Sequence, residues 1–250
     1  MPDVAAQRLQ IGLLQCGHIN ERLAEVDGDY PQLFDRLLSP HGVEVTTYDV
    51  TLGQLPDDPS ERDGWLISGS AASVYDDRPW IAPTEAFVRR LVADRSPTVG
   101  VCFGHQLAAQ ALGGEVRKAD VGWGVGVRRY ELVDEGPAWH EGAGDGDEIG
   151  ILAMHQDQVV RLPEGAQRWL TADYCPEAGF TIGDHLLTIQ PHPEFTTTLT
   201  AGLLATRRER VGDEVVDAAL ASLDDRIDAA AVASWMTAFL RRGPDAPRAS

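Results

Sequence analysis

The chain has 250 residues, of which 43% are hydrophobic, and a formal net charge of -18 at pH 7. This charge argues against nucleic acids and anionic membranes as partners, because their phosphates would repel it. The length suits a single domain over residues 1–243 with a disordered tail over 244–250. No segment has the pattern of a signal peptide or a membrane span, so a cytoplasmic location is expected.

Short apolar runs and helical patterns alternate in the first half of the chain. Residues 30–38 and 84–93, the latter introduced by Pro83, place their apolar residues on one helix face. The predicted strands of this half are 11–16, 43–48, 64–68 and 97–99. The alternation predicts an α/β fold, a three-layer αβα sandwich around a central, mostly parallel sheet.

After Gly114 the pattern changes to a series of strands. Residues 123–132 alternate like a half-exposed strand, and the further predicted strands are 149–154, 166–170, 178–182 and 186–190. The acidic, glycine-rich segment 141–147 predicts a loop, which lacks the terminal bidentate Glu of a calcium loop. From residue 197 onward we expect helix, with the apolar residues of 213–242 facing the core.

Gly100-Val101-Cys102-Phe103-Gly104 lies between the strand 97–99 and a helix-like segment, 105–114. A strand, a turn flanked by glycines, a nucleophile and a helix together form a nucleophile elbow, here with Cys. The glycines suit a turn too tight for nearby β-carbons, and the helix start favours a thiolate over a thiol. We therefore predict that Cys102 attacks a carbonyl carbon.

The chain has three cysteines, an odd number without paired spacing. This argues against a disulfide scaffold and a zinc site, and neither a metal nor a cofactor is expected. Cys16 and Cys175 are interpreted as small buried hydrophobic residues.

A nucleophilic cysteine needs a base, and the base needs a partner that orients it. Gln190-Pro191-His192-Pro193-Glu194 follows an apolar strand, and α/β folds place their sites at the carboxyl ends of strands. His192 and Glu194 are two residues apart and can point the same way, so the carboxylate could hold the imidazole in one tautomer.

Other histidines leave alternatives open. His105 would line the pocket or pack against the sheet, and His155 would line the pocket or fix a loop. Solvated or structural roles are expected for the remaining four, which are His18, His41, His140 and His185.

The elbow and the His-Pro-Glu motif together resemble the class I (triad) glutamine amidotransferase family. Residues 154–159, Met-His-Gln-Asp-Gln-Val, look like the corresponding stretch of the glutaminase domain of GMP synthase, and the resemblance runs from about residue 11 to 205. It implies a flavodoxin-like fold and hydrolysis of a γ-glutamyl amide through a thioester. Cys102 would be the nucleophile, His192 the base and then the acid, and Glu194 the orienting residue.

The resemblance also implies an oxyanion hole and substrate contacts. One donor would be the backbone N–H of Phe103, and the second would come from the loop at Gly69 and Ser70. Ser70 and Ala71 stand where the family has Gly and Pro, which leaves open whether the hole is complete at rest. Gln106 matches a family position that contacts the glutamate part of the substrate, and His155 is the other expected substrate contact.

Three functions stay open at this point, since fold and triad limit the chemistry but not the acceptor. The chain has no P-loop motif and no second nucleotide-binding half, so it looks like a stand-alone member of the family. It would supply ammonia to a synthase partner protein, or cleave small γ-glutamyl compounds as a peptidase or hydrolase. The third function is that of a binding or regulatory protein that has kept the fold without turnover.

Overall fold

The computed structural model describes residues 8–133 and 148–242. Its helices are α1 (Glu21–Asp27), α2 (Tyr30–Leu38), α3 (Ile81–Ala93), α4 (Phe103–Ala111), α5 (Thr197–Val211), α6 (Asp213–Ala221) and α7 (Ala229–Leu240). Its strands are β1 (Leu9–Gln15), β2 (Val43–Asp49), β3 (Gly64–Ile67), β4 (Thr98–Val101), β5 (Glu115–Lys118), β6 (Gly124–Leu132), β7 (Glu148–His155), β8 (Asp157–Arg161), β9 (Ala166–Ala172), β10 (Cys175–Ile182) and β11 (Leu186–Ile189).

Within these residues, nine strands form one sheet in the order β2-β1-β3-β4-β11-β10-β9-β6-β7. The first five run parallel to one another, and the other four extend the sheet in antiparallel pairs. Strands β5 and β8 form a separate antiparallel pair. Strand β11 therefore lies where the parallel part of the sheet meets the antiparallel part, with β4 as its parallel neighbour.

Both faces of the sheet are covered, as the strand residues of its parallel part require. One core contains the buried faces of α2 and α7, for example Phe34 and Phe239. The other core lies on the opposite face and contains Phe87 of α3 and Leu107 of α4. These layers confirm the predicted α/β sandwich.

Local sequence sets the start of α2, which borders the site. The carboxylate of Asp29 accepts a backbone hydrogen bond at the helix start, and the side chain of Gln32 accepts one from the backbone N–H of Asp29. This reciprocal capping and the Pro31 ring near the first turn both favour a helix that begins at Tyr30.

Several boundaries differ from the sequence prediction. Helix α4 begins at Phe103, directly after the cysteine, and the segment 213–242 forms two helices rather than one. The first half of β6 is buried rather than half-exposed, because the end of α6 covers it and the hydroxyl of Ser222 accepts a hydrogen bond from the Val127 N–H. The short elements α1, β5 and β8 were not predicted.

Some predictions lie outside the described residues. These are the loop over 141–147, the solvated or structural role of His140 and the disordered tail over 244–250. The single domain over 1–243 stays a prediction. Among the described residues, no helix combines the length and apolar character that crossing a membrane requires.

Candidate active site at the carboxyl ends of β4 and β11

Cys102 occupies a tight turn between β4 and α4. Its backbone has φ 51° and ψ -100°, in the left-handed region that non-glycine residues rarely adopt. Such a conformation costs about 1–3 kcal/mol and is found where function requires it. The turn also needs α4 to approach β3 closely, since a β-carbon on Gly104 would lie 2.4 Å from the carbonyl oxygen of Ile67. The predicted elbow geometry is present.

The same turn directs Cys102 toward the helix start and the neighbouring strand. Cys102 is the N-terminal cap residue of α4, where unpaired N–H groups and the helix dipole favour a negative charge. Its backbone N–H donates to the carbonyl oxygen of Ile189, at the end of β11, over 2.9 Å. The side chain is nearly buried, with 5% of the residue exposed.

The segment that follows β11 brings His192 and Glu194 together. Nδ1 of His192 donates to Oε1 of Glu194 over 2.7 Å, and both residues are buried. The His192 backbone N–H donates to the carbonyl oxygen of Leu152 over 2.8 Å, which anchors the segment to β7. The Phe195 ring stacks on the imidazole with ring centroids 3.8 Å apart. These contacts hold the imidazole in one orientation.

The electrostatics couple His192 to Cys102. Burial by itself would lower the pKa of His192, but the negative charges of Cys102 and Glu194, with hydrogen bonds to both side chains, raise this pKa to about 10. The imidazole therefore keeps its proton at neutral pH, next to the Cys102 side chain. A thiolate with an adjacent imidazolium is the arrangement expected for an activated nucleophile and its acid–base partner.

The predicted oxyanion residues lie beside this pair. Phe103 is the first residue of α4, where a backbone N–H has no acceptor within the helix. Gly69 lies against the imidazole, because a β-carbon there would be 2.8 Å from Cε1 of His192 and 2.7 Å from the hydroxyl oxygen of Tyr30. The next residue, Ser70, accepts a hydrogen bond from the backbone N–H of Ala72 through its hydroxyl group over 3.1 Å. The close contacts at Gly69 thus require glycine at that position.

The two predicted substrate-contact residues line a cleft that contains Cys102. The Gln106 amide nitrogen donates to the carbonyl oxygen of Asp157 and to Oε1 of Gln190, over 2.8 and 3.1 Å. These bonds use both N–H groups of the amide, so Oε1 is its remaining hydrogen-bonding atom, an acceptor. Burial, followed by the charge of His192, lowers the pKa of His155 to about 3, so His155 is neutral.

Sequence reasoning missed Tyr30 and Arg207, which also border the site. Tyr30 was predicted only as part of a helix, yet its hydroxyl group lies beside Gly69. Burial, followed by the charges of Glu194 and Cys102, raises the pKa of this hydroxyl group well above its usual value. Arg207, on α5, lines the cleft as well. Its signal in the sequence is a cluster of arginines, 207, 208 and 210, in a strongly acidic chain.

His105, His18 and His185 are not among the residues that line the cleft with Cys102. His105 is fully buried against the sheet, where Nδ1 donates to the Thr188 hydroxyl oxygen over 2.8 Å, and burial lowers its pKa to about 3. His18 lies between Asp29 and Asp49, and its side chain is half-exposed. His185, for which a solvated or structural role was expected, is buried.

The other two cysteines are buried free thiols. Burial, followed by the charge of Asp49, raises the pKa of the Cys16 thiol. Burial, followed by the charge of Glu177, raises the pKa of the Cys175 thiol to about 12. Both thiols are therefore unreactive at neutral pH, as their interpretation as small hydrophobic residues requires.

Comparisons with known proteins fit this geometry. A family model described as "Glutamine amidotransferase class-I" matches residues 28–207. Gamma-glutamyl peptidase 3 of Arabidopsis thaliana is 29% identical over 77% of this chain and 79% of its own length. One subunit of the glutamine-hydrolyzing GMP synthase of Archaeoglobus fulgidus is 34% identical over 67% of this chain and 84% of its own. The solved structure of a glutamine amidotransferase from Thermotoga maritima superposes with a TM-score of 0.75 at 16% identity, covering 94% of this chain and 99% of that one.

Proposed function

The chain belongs to the class I glutamine amidotransferase family, and we propose that Cys102, His192 and Glu194 carry out its hydrolysis of γ-glutamyl amides. The observation that carries the proposal is the buried His192–Glu194 pair, coupled electrostatically to a cysteine on a strained turn. Cys102 would be the nucleophile, His192 the acid and base, and Glu194 the group that orients the imidazole.

In the first step, the Cys102 thiolate adds to the γ-carbonyl carbon of the substrate and forms a tetrahedral oxyanion. His192 then gives its proton to the amide nitrogen, the carbon–nitrogen bond breaks, and the amine leaves. The product on the protein is a γ-glutamyl thioester, and His192 is neutral. A raised pKa suits this role, because the imidazolium is charged before the step and its proton is available to the leaving nitrogen.

In the second step, neutral His192 takes a proton from a water molecule as the water oxygen attacks the thioester carbon. The carbon–sulfur bond breaks, glutamate is released, and the thiolate and imidazolium are restored. Glu194 accepts the Nδ1 hydrogen bond throughout, so Nε2 is the nitrogen that exchanges protons.

The oxyanion of both steps would be stabilised by the N–H of Phe103 and by the backbone at Gly69 and Ser70. Helix-start N–H groups are preorganised donors, and losing one donor of this kind costs about 3–4 kcal/mol. Oε1 of Gln106 would accept from the substrate ammonium group, and His155 would form the wall behind it.

The free γ-glutamyl hydrolase is favoured by the similarity to a γ-glutamyl peptidase. The second candidate, ammonia supply to a synthase partner protein, is favoured by the similarity to a GMP synthase subunit. Both need a reduced cysteine, and three buried free thiols fit a reducing compartment such as the cytoplasm.

The test is glutamate release by the purified protein from glutamine and from a γ-glutamyl dipeptide. We expect release from at least one compound without any partner, and loss of release in Cys102→Ala. Cys175→Ala is the matched control and should retain activity. Equal rates in Cys102→Ala and the wild type would overturn the triad, whereas release from glutamine only after a synthase is added would favour the second candidate.

A further inference from the structure

We propose that the cavity beside His192 binds the leaving group of the substrate, and that Arg207 recognises a carboxylate on that group. The preferred substrates would then be γ-glutamyl conjugates of an α-amino acid or short peptide with a free carboxylate, rather than glutamine. The inference rests on the proposed role of His192 as the acid that protonates the leaving nitrogen.

Two cavities meet at the candidate site. Cys102 and Gln106 line one of them, and His192 lines the other, which has a volume of about 360 Å³. Arg207 lines both, as do Ser70 and Ala71 of the loop beside Gly69. A substrate whose γ-carbonyl group sits at Cys102 can therefore extend in two directions from the reacting carbon.

The chemistry decides which part of the substrate extends in which direction. The leaving nitrogen takes its proton from His192, so it must face the imidazole. The atoms attached to that nitrogen then extend into the His192 cavity, while the γ-glutamyl part remains with Gln106. Ammonia is about as large as water, which occupies about 30 Å³, so it would leave this cavity almost empty.

The charge of the His192 cavity favours an anionic leaving group. The chain has 39 acidic and 21 basic residues, yet the cavity lining contains Arg207, His18 and His192 and, among the described residues, neither Asp nor Glu. Both ring nitrogens of His18 are already engaged by carboxylates, at 2.8 Å to Asp29 and 3.0 Å to Asp49. The imidazole of His192 is likewise paired with a carboxylate, so Arg207 is the cation of this lining without such a partner among the described residues.

Arg207 is half-buried on α5, and in the parts of the chain that the structure describes no carboxylate forms an ion pair with it. Burial lowers the pKa of its guanidinium, and the nearby Tyr30 hydroxyl group and Cys102 thiol offset this effect only in part. A partly desolvated cation without a counter-ion is costly unless a ligand supplies one. A planar guanidinium is also the side chain best suited to bind a carboxylate through two parallel hydrogen bonds.

The remaining walls of the cavity combine polar and apolar side chains. The apolar ones include Ile19, Phe195 and Leu203, and Asn20 and Thr206 are polar. An amino acid with an apolar side chain would bury that side chain here while its carboxylate reached Arg207. Apolar surface beside a few placed polar groups is the usual form of a small-molecule site.

The test compares γ-glutamyl-phenylalanine with γ-glutamyl-phenylalaninamide, which differ only in the carboxylate. We expect the wild type to prefer the acid by about 10- to 100-fold in kcat/KM, the range for a charge-assisted hydrogen bond. Arg207→Met should reduce this ratio to nearly one. Arg208→Met is the matched control and should keep the preference for the acid. Arg208 lies on the same helix, but its guanidinium pairs with Asp213 and Asp217.

Binding of the same two compounds to Cys102→Ala, measured by calorimetry, repeats the comparison without turnover. Equal affinities, or a wild-type ratio near one, would overturn the proposal. If Arg207→Met weakens the binding of both compounds equally, the proposal is also overturned, since Arg207 would then bind the γ-glutamyl part. If the acid binds preferentially but no compound is hydrolysed, the leaving-group subsite stands and the proposed hydrolysis fails.

Discussion

Glu194→Gln tests the proposed acid–base pair with the least change in shape. The Glu194 oxygen Oε1 accepts from His192, and Oε2 is buried without a hydrogen-bond partner among the described residues. A glutamine could keep the first contact and place its amide nitrogen where Oε2 was. The substitution therefore removes mainly the negative charge beside the imidazole.

The size of the expected effect follows from the distance between the Glu194 carboxylate and the His192 imidazolium. Two unit charges about 4 Å apart at an effective dielectric constant of about 20 interact by about 4 kcal/mol, and the retained hydrogen bond leaves a loss of about 3 kcal/mol. That loss lowers the pKa of His192 by about two units from its value of about 10. The same energy predicts a fall in kcat/KM of about 100-fold.

The assay is hydrolysis of a γ-glutamyl anilide between pH 6 and 11, with the His192 ring titrated by NMR. Activity should fall as the pH rises through the pKa of His192, because deprotonation removes the acid and the partner of the thiolate. In Glu194→Gln this fall should begin about two units lower. Glu164→Gln, an exposed change of the same charge, should behave like the wild type. A Glu194→Gln variant within about threefold of the wild-type rate, with an unchanged alkaline limb, would refute the reasoning.

Three further predictions concern packing and reactivity. Gly69→Ala should lower kcat/KM at least about tenfold, since its β-carbon would lie 2.7 Å from the Tyr30 hydroxyl oxygen. A Gly69→Ala/Tyr30→Phe double variant should recover part of the loss, and an unchanged rate in the single variant would contradict the close packing. A γ-glutamyl chloroketone should alkylate Cys102 before the other two cysteines, whose thiols have raised pKa values. Peptide mass spectrometry that shows the reverse order of labelling would contradict the elbow assignment. Thr188→Val should lower the free energy of unfolding by about 2 kcal/mol and Tm by about 4–8 °C, because it leaves Nδ1 of buried His105 without its acceptor. Calorimetry that shows no shift in Tm would contradict that contact.

The features that could be predicted from the sequence are local ones. The elbow is encoded by consecutive residues, because glycines allow the close approach and the apolar run and helix pattern lie on either side of Cys102. His192 and Glu194 are also near each other in the chain, so their pairing needs only an extended segment. The sandwich follows from the alternation of strand and helix patterns.

The features that could not be predicted depend on distant parts of the chain. Strand β8 is short and pairs with β5, and nothing in its periodicity names that partner. Tyr30 and Arg207 belong to helices whose patterns account for them as ordinary helical residues. Only the packing of α2 and α5 around His192 brings them to the site.

The pairing of β4 with β11 has a consequence for how the chain folds during synthesis. Thr98 lies opposite Leu186 in the sheet, so β4 has an unpaired edge until the ribosome has released residues far later in the chain. Until then the proposed nucleophile lacks its proposed base, and an apolar strand edge is exposed to other chains. A chain terminated before residue 186 would therefore be inactive and prone to aggregate, and catalytic competence is acquired only at a late stage of folding.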